Sequence, residues 1–351
     1  MAKSERNSAI ELLRILALVG ILWMHESISG TETTLGAWMR IGIDSFANTG
    51  VTIFILISGF YGIRRSAKKL IPLWFMLAFY SYAALLVRIW LQGAEDLGLE
   101  ELGRYMLPII GRSGWFFTCY FLLALMSPWI NRLADVLALH ELRNLLILLV
   151  LIFDVSTTIF FYDFTLDGGK GIVNMVLIYL IGRYLRKKQD QGVPEKRRII
   201  YFRRILIFFA IDFVLNAAVH LVTGGVYDKF ARDNVVFILF EAIYIFLFVK
   251  SFYWKNTVVN KVATKVPAVF KMEATVKLLI ATFAWDYTAL RLSPAYQFVA
   301  LGLSMLIVLI GLVIESIRLV VFKGMENKMT EWICKLATPI WNKAQHAIEK
   351  I

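Results

Sequence analysis

The chain has 351 residues, 38 lysines and arginines against 26 acidic residues for a formal charge of +12, and 59% hydrophobic residues. Its mean hydropathy is +0.66 and 18% of its residues are charged, whereas soluble chains are about 45–50% apolar and about 25% charged. That balance excludes a disordered chain, a disulfide scaffold and a nucleic-acid binder, and leaves a polytopic membrane protein. The first residues, with Lys3 and Arg6, lead into an apolar run interrupted by Glu11, Arg14 and His25, and no small-residue cleavage site follows. It is therefore read as a retained first span and not as a signal peptide.

Runs of about 20 mostly apolar residues cross a bilayer core of about 30 Å. Ten such runs are predicted, at about 9–28, 40–62, 69–92, 115–136, 143–162, 171–186, 202–222, 234–251, 273–291 and 296–322. The sixth is short, and Lys277 and Asp286 weaken the ninth. Without an alternating strand pattern, the expected fold is an all-α bundle of about ten transmembrane helices. Alternate connections sort by charge. Arg64, Arg65, Lys68 and Lys69 follow span two, and a basic run from Arg183 to Arg204 follows span six. Glu95, Asp96, Glu100 and Glu101 sit on the other side. The positive-inside rule then puts both termini in the cytoplasm.

Trp38, Trp74, Trp90, Trp115, Trp129 and Trp254 fall near span ends, where interfacial anchors belong. After Lys323, apolar residues among lysines predict an amphipathic surface helix broken or bent at Pro339. The expected division is a membrane domain over 1–323 and a cytoplasmic tail over 324–351. Cys119 and Cys334 offer neither a disulfide framework nor metal-ligand spacing, and no nucleotide or zinc motif is present.

Ionisable residues inside a membrane are costly and mark functional candidates. Arg14 and His25 are eleven helical steps apart, which returns them to within about 20° of one face, about 16 Å apart along the axis. A fixed cation below and a proton acceptor above would share that stripe. The same residues also suit a structural reading, with Glu11 pairing to Arg14 and His25 hydrogen-bonded between helices. Asp212, Asn216 and His220 recur every four residues, which suits either interhelical hydrogen bonds or a second histidine facing an acceptor. Glu315 and Arg318 read as a structural pair.

The opening Arg6-Asn7-Ser8-Ala9-Ile10-Glu11-Leu12-Leu13-Arg14 through His25 resembles that of the acyltransferase 3 family of integral-membrane acyltransferases. Gly50 to Phe60, ending Ser58-Gly59-Phe60, resembles its second-helix signature. Trp115-Phe116, Tyr120 and Ser127-Pro128-Trp129-Ile130-Asn131 resemble its fourth-helix pattern, and Tyr179-Leu180-Ile181-Gly182 an element ending its sixth. Two segments depart: Thr52 stands where an acid is frequent, and Phe270-Lys271-Met272-Glu273 where a histidine is frequent.

The resemblance implies transfer of an acyl group, usually acetyl, from cytoplasmic acyl-CoA to a hydroxyl of an envelope glycan, free or lipid-linked, in a bacterial-type cytoplasmic membrane. By analogy Arg14 holds the donor and His25 serves catalysis, with Glu26 as a candidate to orient the ring. Arg64, Arg65, Lys68 and Lys69 suit the phosphates of CoA. Trp115, Tyr120 and His220 are the candidates on the acceptor side. Acetyl-CoA, the glycan and membrane lipids are the expected partners; nucleic acid is not. A transporter or flippase of a lipid-linked glycan, and a non-catalytic relative, remain the alternatives.

Overall fold

The computed structural model describes residues 6–348 except 32, 65, 96, 112–113, 194, 196, 286 and 294; for 288 and 337–348 it describes the backbone alone. The described chain is all-helical, without strands. The helices are α1 (Ser8–Ser27), α2 (Thr34–Ala47), α3 (Thr49–Tyr61), α4 (Ala67–Gln92), α5 (Leu99–Met106), α6 (Trp115–Val136) and α7 (Leu139–Val150). After a π turn at Leu151–Val155 come α8 (Ser156–Ile159), α9 (Ile172–Asp190), α10 (Arg198–Thr223), α11 (Val236–Lys250), α12 (Thr257–Ala263), α13 (Val266–Phe283) and α14 (Tyr296–Ile348).

Among the described residues, six segments are long and apolar enough to cross a membrane: Ser8–Gly30, Thr34–Tyr61, Ala67–Gln92, Leu139–Ile159, Arg198–Thr223 and Tyr296–Leu336. The other four apolar runs of the sequence are also helical, in α6, α9, α11 and α13; α11 is too short to qualify, and the other three are long enough but too polar or too charged.

Several expected boundaries move. The second run is two helices meeting at Asn48, whose own backbone stays helical (φ −62°, ψ −18°), so α2 and α3 continue as one rod. The ninth starts about two turns earlier, because Pro267 suits the first turn of a helix, where its missing N–H costs nothing, and it ends earlier too, at Phe283. The surface helix expected after Lys323 is instead a continuation of α14, which runs unbroken through position 339. It continues because it has a partner: Phe322 packs on Phe79 of α4 at 5.4 Å, and Glu326 and Thr330 are buried.

α1 is the hub of the bundle, packed against α2, α3, α11, α12, α13 and α14. Ile10, Leu18, Ile21 and Leu22 are fully buried on it. Its start is capped by Asn7, whose side chain accepts from the Ala9 N–H and donates to the Phe252 carbonyl at 2.7 Å. The Ser8 hydroxyl accepts from the Asn256 N–H at 2.7 Å, tying the end of α11 and the start of α12 to the same side of the bundle, here the N-terminal side. By contrast α10 leaves Phe202, Leu206, Ile207, Val214 and Leu221 exposed along its length, as a lipid-facing helix must.

α3 and α9 make backbone-to-backbone contact through glycines of two family-like motifs. A Cβ on Gly59 would lie 2.2 Å from the Tyr179 carbonyl oxygen, and one on Gly182 would lie 2.6 Å from that of Leu56. Neither carbonyl is the end of a flexible side chain, so the helices themselves would have to separate. Gly59→Ala is therefore expected to destabilise the fold by about 1–3 kcal/mol, visible as a lower melting temperature in detergent. An unchanged melting temperature would show that the helices yield freely.

The loop between α8 and α9 is held by Asp163. Its carboxylate accepts from the Thr165 N–H and hydroxyl and from the Gly168 N–H at 2.7–2.9 Å. Partial burial pushes its pKa up, but these donors and the Asn234 side chain outweigh that and hold it below 3.8. Because the folded value is the lower one, the contribution is present above pH 3.8 and is lost as pH falls from there through the folded value. Asp163→Ala is expected to speed tryptic cleavage after Lys170 several-fold at neutral pH.

Candidate active site

At the end of α1 away from the N-terminal side, the Nδ1–H of His25 donates to Oε1 of Glu273 on α13 at 2.8 Å. An ionised carboxylate only accepts, so this bond assigns the proton of a neutral ring to Nδ1 and leaves Nε2 as the basic nitrogen. It is the ring's sole hydrogen bond among the described residues. The His25 side chain is 41% exposed and that of Glu273 12%, so the acid is shielded while the ring is accessible.

Glu26 does not orient His25. It is buried, at 1% side-chain exposure, and pairs with Lys277 at 2.8 Å. Neighbouring residues on a helix diverge by about 100°, so α1 sends His25 and Glu26 in different directions, and α13 meets them with Glu273 and Lys277 one turn apart. Both partners went unread in the sequence, Glu273 as the lack of a histidine and Lys277 as a blemish in an apolar run.

The end of α1 is fixed from three sides. The Trp23 indole donates to the Gln297 carbonyl at 2.8 Å. The Gln297 amide donates to the carbonyls of Ser27, Gly30 and Gly36 at 3.2–3.3 Å. Arg40 of α2, paired with Asp44 at 2.6 Å, donates to the Met24 carbonyl and the Ser27 hydroxyl. These bonds bracket His25 on the chain.

Toward the N-terminal side, Arg14 lines a partly open cavity of about 560 Å³, the space at its mouth included, whose walls include Phe54, Ser58, Phe116, Tyr120 and Phe270. Its nearest acid is Glu11, at 3.8 Å. Tyr120 thus joins Arg14. Trp115 does not line that cavity; it meets Phe116 edge-on at 6.1 Å. Phe270 packs on Phe116 and Phe117 at 5.5 and 5.6 Å. One face of α13 therefore supplies a wall of the Arg14 cavity and, one turn on, the partner of His25.

Below that cavity lies a basic mouth. Arg64 is exposed and lines a small hollow with Tyr61, Asn131, Asp135 and Arg183, the last two paired at 2.8 Å. Its loop is pinned by a ring of hydrogen bonds: Ile63 N–H to the Tyr179 hydroxyl at 2.8 Å, that hydroxyl to Asn131 Oδ1 at 2.8 Å, and Asn131 Nδ2 back to the Ile63 carbonyl at 3.0 Å. Lys68 and Lys69 are exposed on the first turn of α4, and Arg65 lies outside the described residues. Arg186 and Lys250 flank the Phe60 ring at 5.7 and 5.3 Å, so cations from α9 and α11, read in the sequence as topology signals, enlarge the mouth.

His220 is not brought to this site. Its Nδ1–H donates to the Gly225 carbonyl at 3.0 Å and its ring meets Trp38 edge-on at 5.5 Å, closing the last turn of α10. Asn216 bonds Asp212 at 3.1 Å, so the polar stripe on α10 makes structural contacts.

A bundle of apolar helices, six of them long and apolar enough to cross a membrane among the described residues, has the makeup of a multi-pass membrane protein. The model of the acyltransferase 3 family, described as an acyltransferase domain, matches residues 7–319, and the chain belongs to that family. No curated protein and no solved structure matches the chain.

Proposed function

We propose that the protein moves an acyl group, acetyl in the simplest case, from acyl-CoA to a hydroxyl of a cell-envelope glycan, free or lipid-linked. The His25–Glu273 pair, on the same helix as the cavity-lining Arg14, is the observation that carries this reading. Both termini would face the cytoplasm of a bacterial-type inner membrane, with the ten helical runs arranged as spans. Arg64, Lys68, Lys69 and Arg183 would then meet the phosphates of CoA, and charge-assisted contacts there favour the anion. The pantetheine arm would approach along the mostly apolar hollow that carries one cation, Arg14, and the hydroxyls of Ser58 and Tyr120.

In the transfer, the glycan hydroxyl oxygen bonds to the thioester carbonyl carbon and the C–S bond breaks. The proton passes from the hydroxyl to Nε2 of His25 and on to the thiolate sulfur. Glu273 holds the ring in the required tautomer and stabilises the imidazolium between the two steps.

The test is mass spectrometry of envelope glycans from cells with the intact gene, with a deletion, and with His25→Ala. An ester-linked acyl increment present only with the intact gene is expected. An increment that survives deletion removes the acyl-transfer reading, and one that survives His25→Ala removes the role of His25.

A further inference from the structure

The chemistry above uses only one face of α13. Phe270, Glu273 and Lys277 serve the α1 side, whereas Lys271, Thr275 and Leu278 line a separate, half-open cavity of about 1060 Å³, the space at its mouth included, between α13, α4 and α5. α4 contributes Arg88 and Gln92, and α5 contributes Glu101 and Tyr105. Both α4 and α13 run away from the N-terminal side, so the cavity occupies the middle and the far half of the bundle.

α5 buries none of its own residues. It is held across the cavity by side chains: Arg88 pairs with Glu101, and the Tyr82 hydroxyl donates to the Met106 carbonyl at 3.3 Å. Polar hollows among membrane helices are expensive to maintain, and they mark sites for polar ligands. At the far ends of α4 and α13, Trp90 and Phe283 stack at 5.2 Å and 19°, 68% and 60% exposed, forming an aromatic platform.

We infer that this cavity binds a sugar unit of the acceptor glycan other than the one whose hydroxyl reacts. The inference rests on the acyl-transfer reading. The amide of Gln92, the phenol of Tyr105 and the hydroxyl of Thr275 offer the mixed donors and acceptors that sugar hydroxyls need. Val87 and Leu278 supply apolar surface for the C–H faces of a pyranose. Arg88 pairs with Glu101 and Lys271 adds one further cation to the lining, so the wall is mostly amide, phenol, hydroxyl and apolar groups, which suits a saccharide. α13 stands between this cavity and His25, and Glu273 lies ten residues, about 15 Å, before its end. A single sugar does not bridge that wall, but an oligosaccharide passing over the end of α13 does.

The test uses the full chain in lipid nanodiscs, labelled acetyl-CoA, and two acceptors from the producing cell's own envelope glycan: its oligosaccharides and its monosaccharides after complete hydrolysis. Gln92→Ala, Tyr105→Phe and Thr275→Val should each raise KM for the oligosaccharides about 2–10-fold, as loss of one hydrogen bond does. The turnover number and KM for acetyl-CoA should not move, nor should the response to monosaccharides. Calorimetric titration of the oligosaccharides should show the same weakening, while His25→Ala binds normally. Unchanged KM and affinity in all three variants would overturn the proposal, as would equal sensitivity of the monosaccharides. If the intact chain transfers nothing yet binds oligosaccharides through Tyr105, the cavity assignment stands and the acyl-transfer reading falls.

Discussion

Glu273→Gln is expected to lower the turnover number by about 10²-fold while leaving KM for acyl-CoA within about twofold. Glutamine can still accept from Nδ1, so the ring keeps its orientation. What it loses is the negative charge that favours the imidazolium once the hydroxyl proton has arrived on Nε2. His25→Ala removes the base itself and should cost about 10²–10⁴-fold. Glu26→Gln is the control. It leaves Lys277 without its carboxylate partner, so it should lower the melting temperature while the folded fraction keeps its turnover. Equal losses of turnover in the Glu26 and Glu273 variants would mean that the pairing seen here does not set the chemistry. The readout is acetyl-CoA consumption per folded molecule, with folded protein counted by size-exclusion chromatography.

Arg318→Met should cost about 3–5 kcal/mol, enough to prevent accumulation of folded protein. Arg318 is buried and donates from Nε and Nη2 to both oxygens of Glu315 at 2.7 and 2.9 Å, and from Nη1 to Glu326. Tyr80 of α4 adds a 2.6 Å hydrogen bond to Glu315. Removing the arginine strands two buried carboxylates. Arg318→Lys keeps the charge but not the fork, and should fall between. The triple change to Arg318→Met, Glu315→Leu and Glu326→Leu should recover most of the loss, since an apolar cluster of similar volume replaces a network that was costly to desolvate. Melting curves in detergent decide it. A single variant as stable as the parent would show that water reaches these carboxylates.

The helices were largely legible in the sequence because apolar runs of membrane length admit few conformations. α1 and α6 fall within about one residue of their expected ranges. The misplacements have local causes. The expected start of the ninth run follows hydropathy past Lys265 and Lys271, where Pro267 had already opened the helix. The end of the tenth depends on packing against α4, which no local pattern reports. At the site, Arg14 and His25 were readable because a single helix carries both. The partner of His25 was not, because Glu273 lies 248 residues away and acquires meaning only when α13 is laid beside α1. Arg183 and Lys250 were visible only as charge. The place of Arg183 in the mouth depends on the glycine-mediated contact that brings α9 against α3, and that of Lys250 on the packing of α11 against α3.

α1 is one continuous helix from Ser8 to Ser27. Motions between helices can widen the mouth or shift the walls, yet they cannot change the spacing of Arg14 and His25, which is counted in peptide units and not set by a hinge. The protein thus carries a molecular ruler. One alanine inserted between Leu18 and Val19 would lengthen it by only about 1.5 Å but turn its upper mark by about 100°. If Arg14 and His25 act together as proposed, the protein tolerates breathing but not a single-residue insertion at its axis.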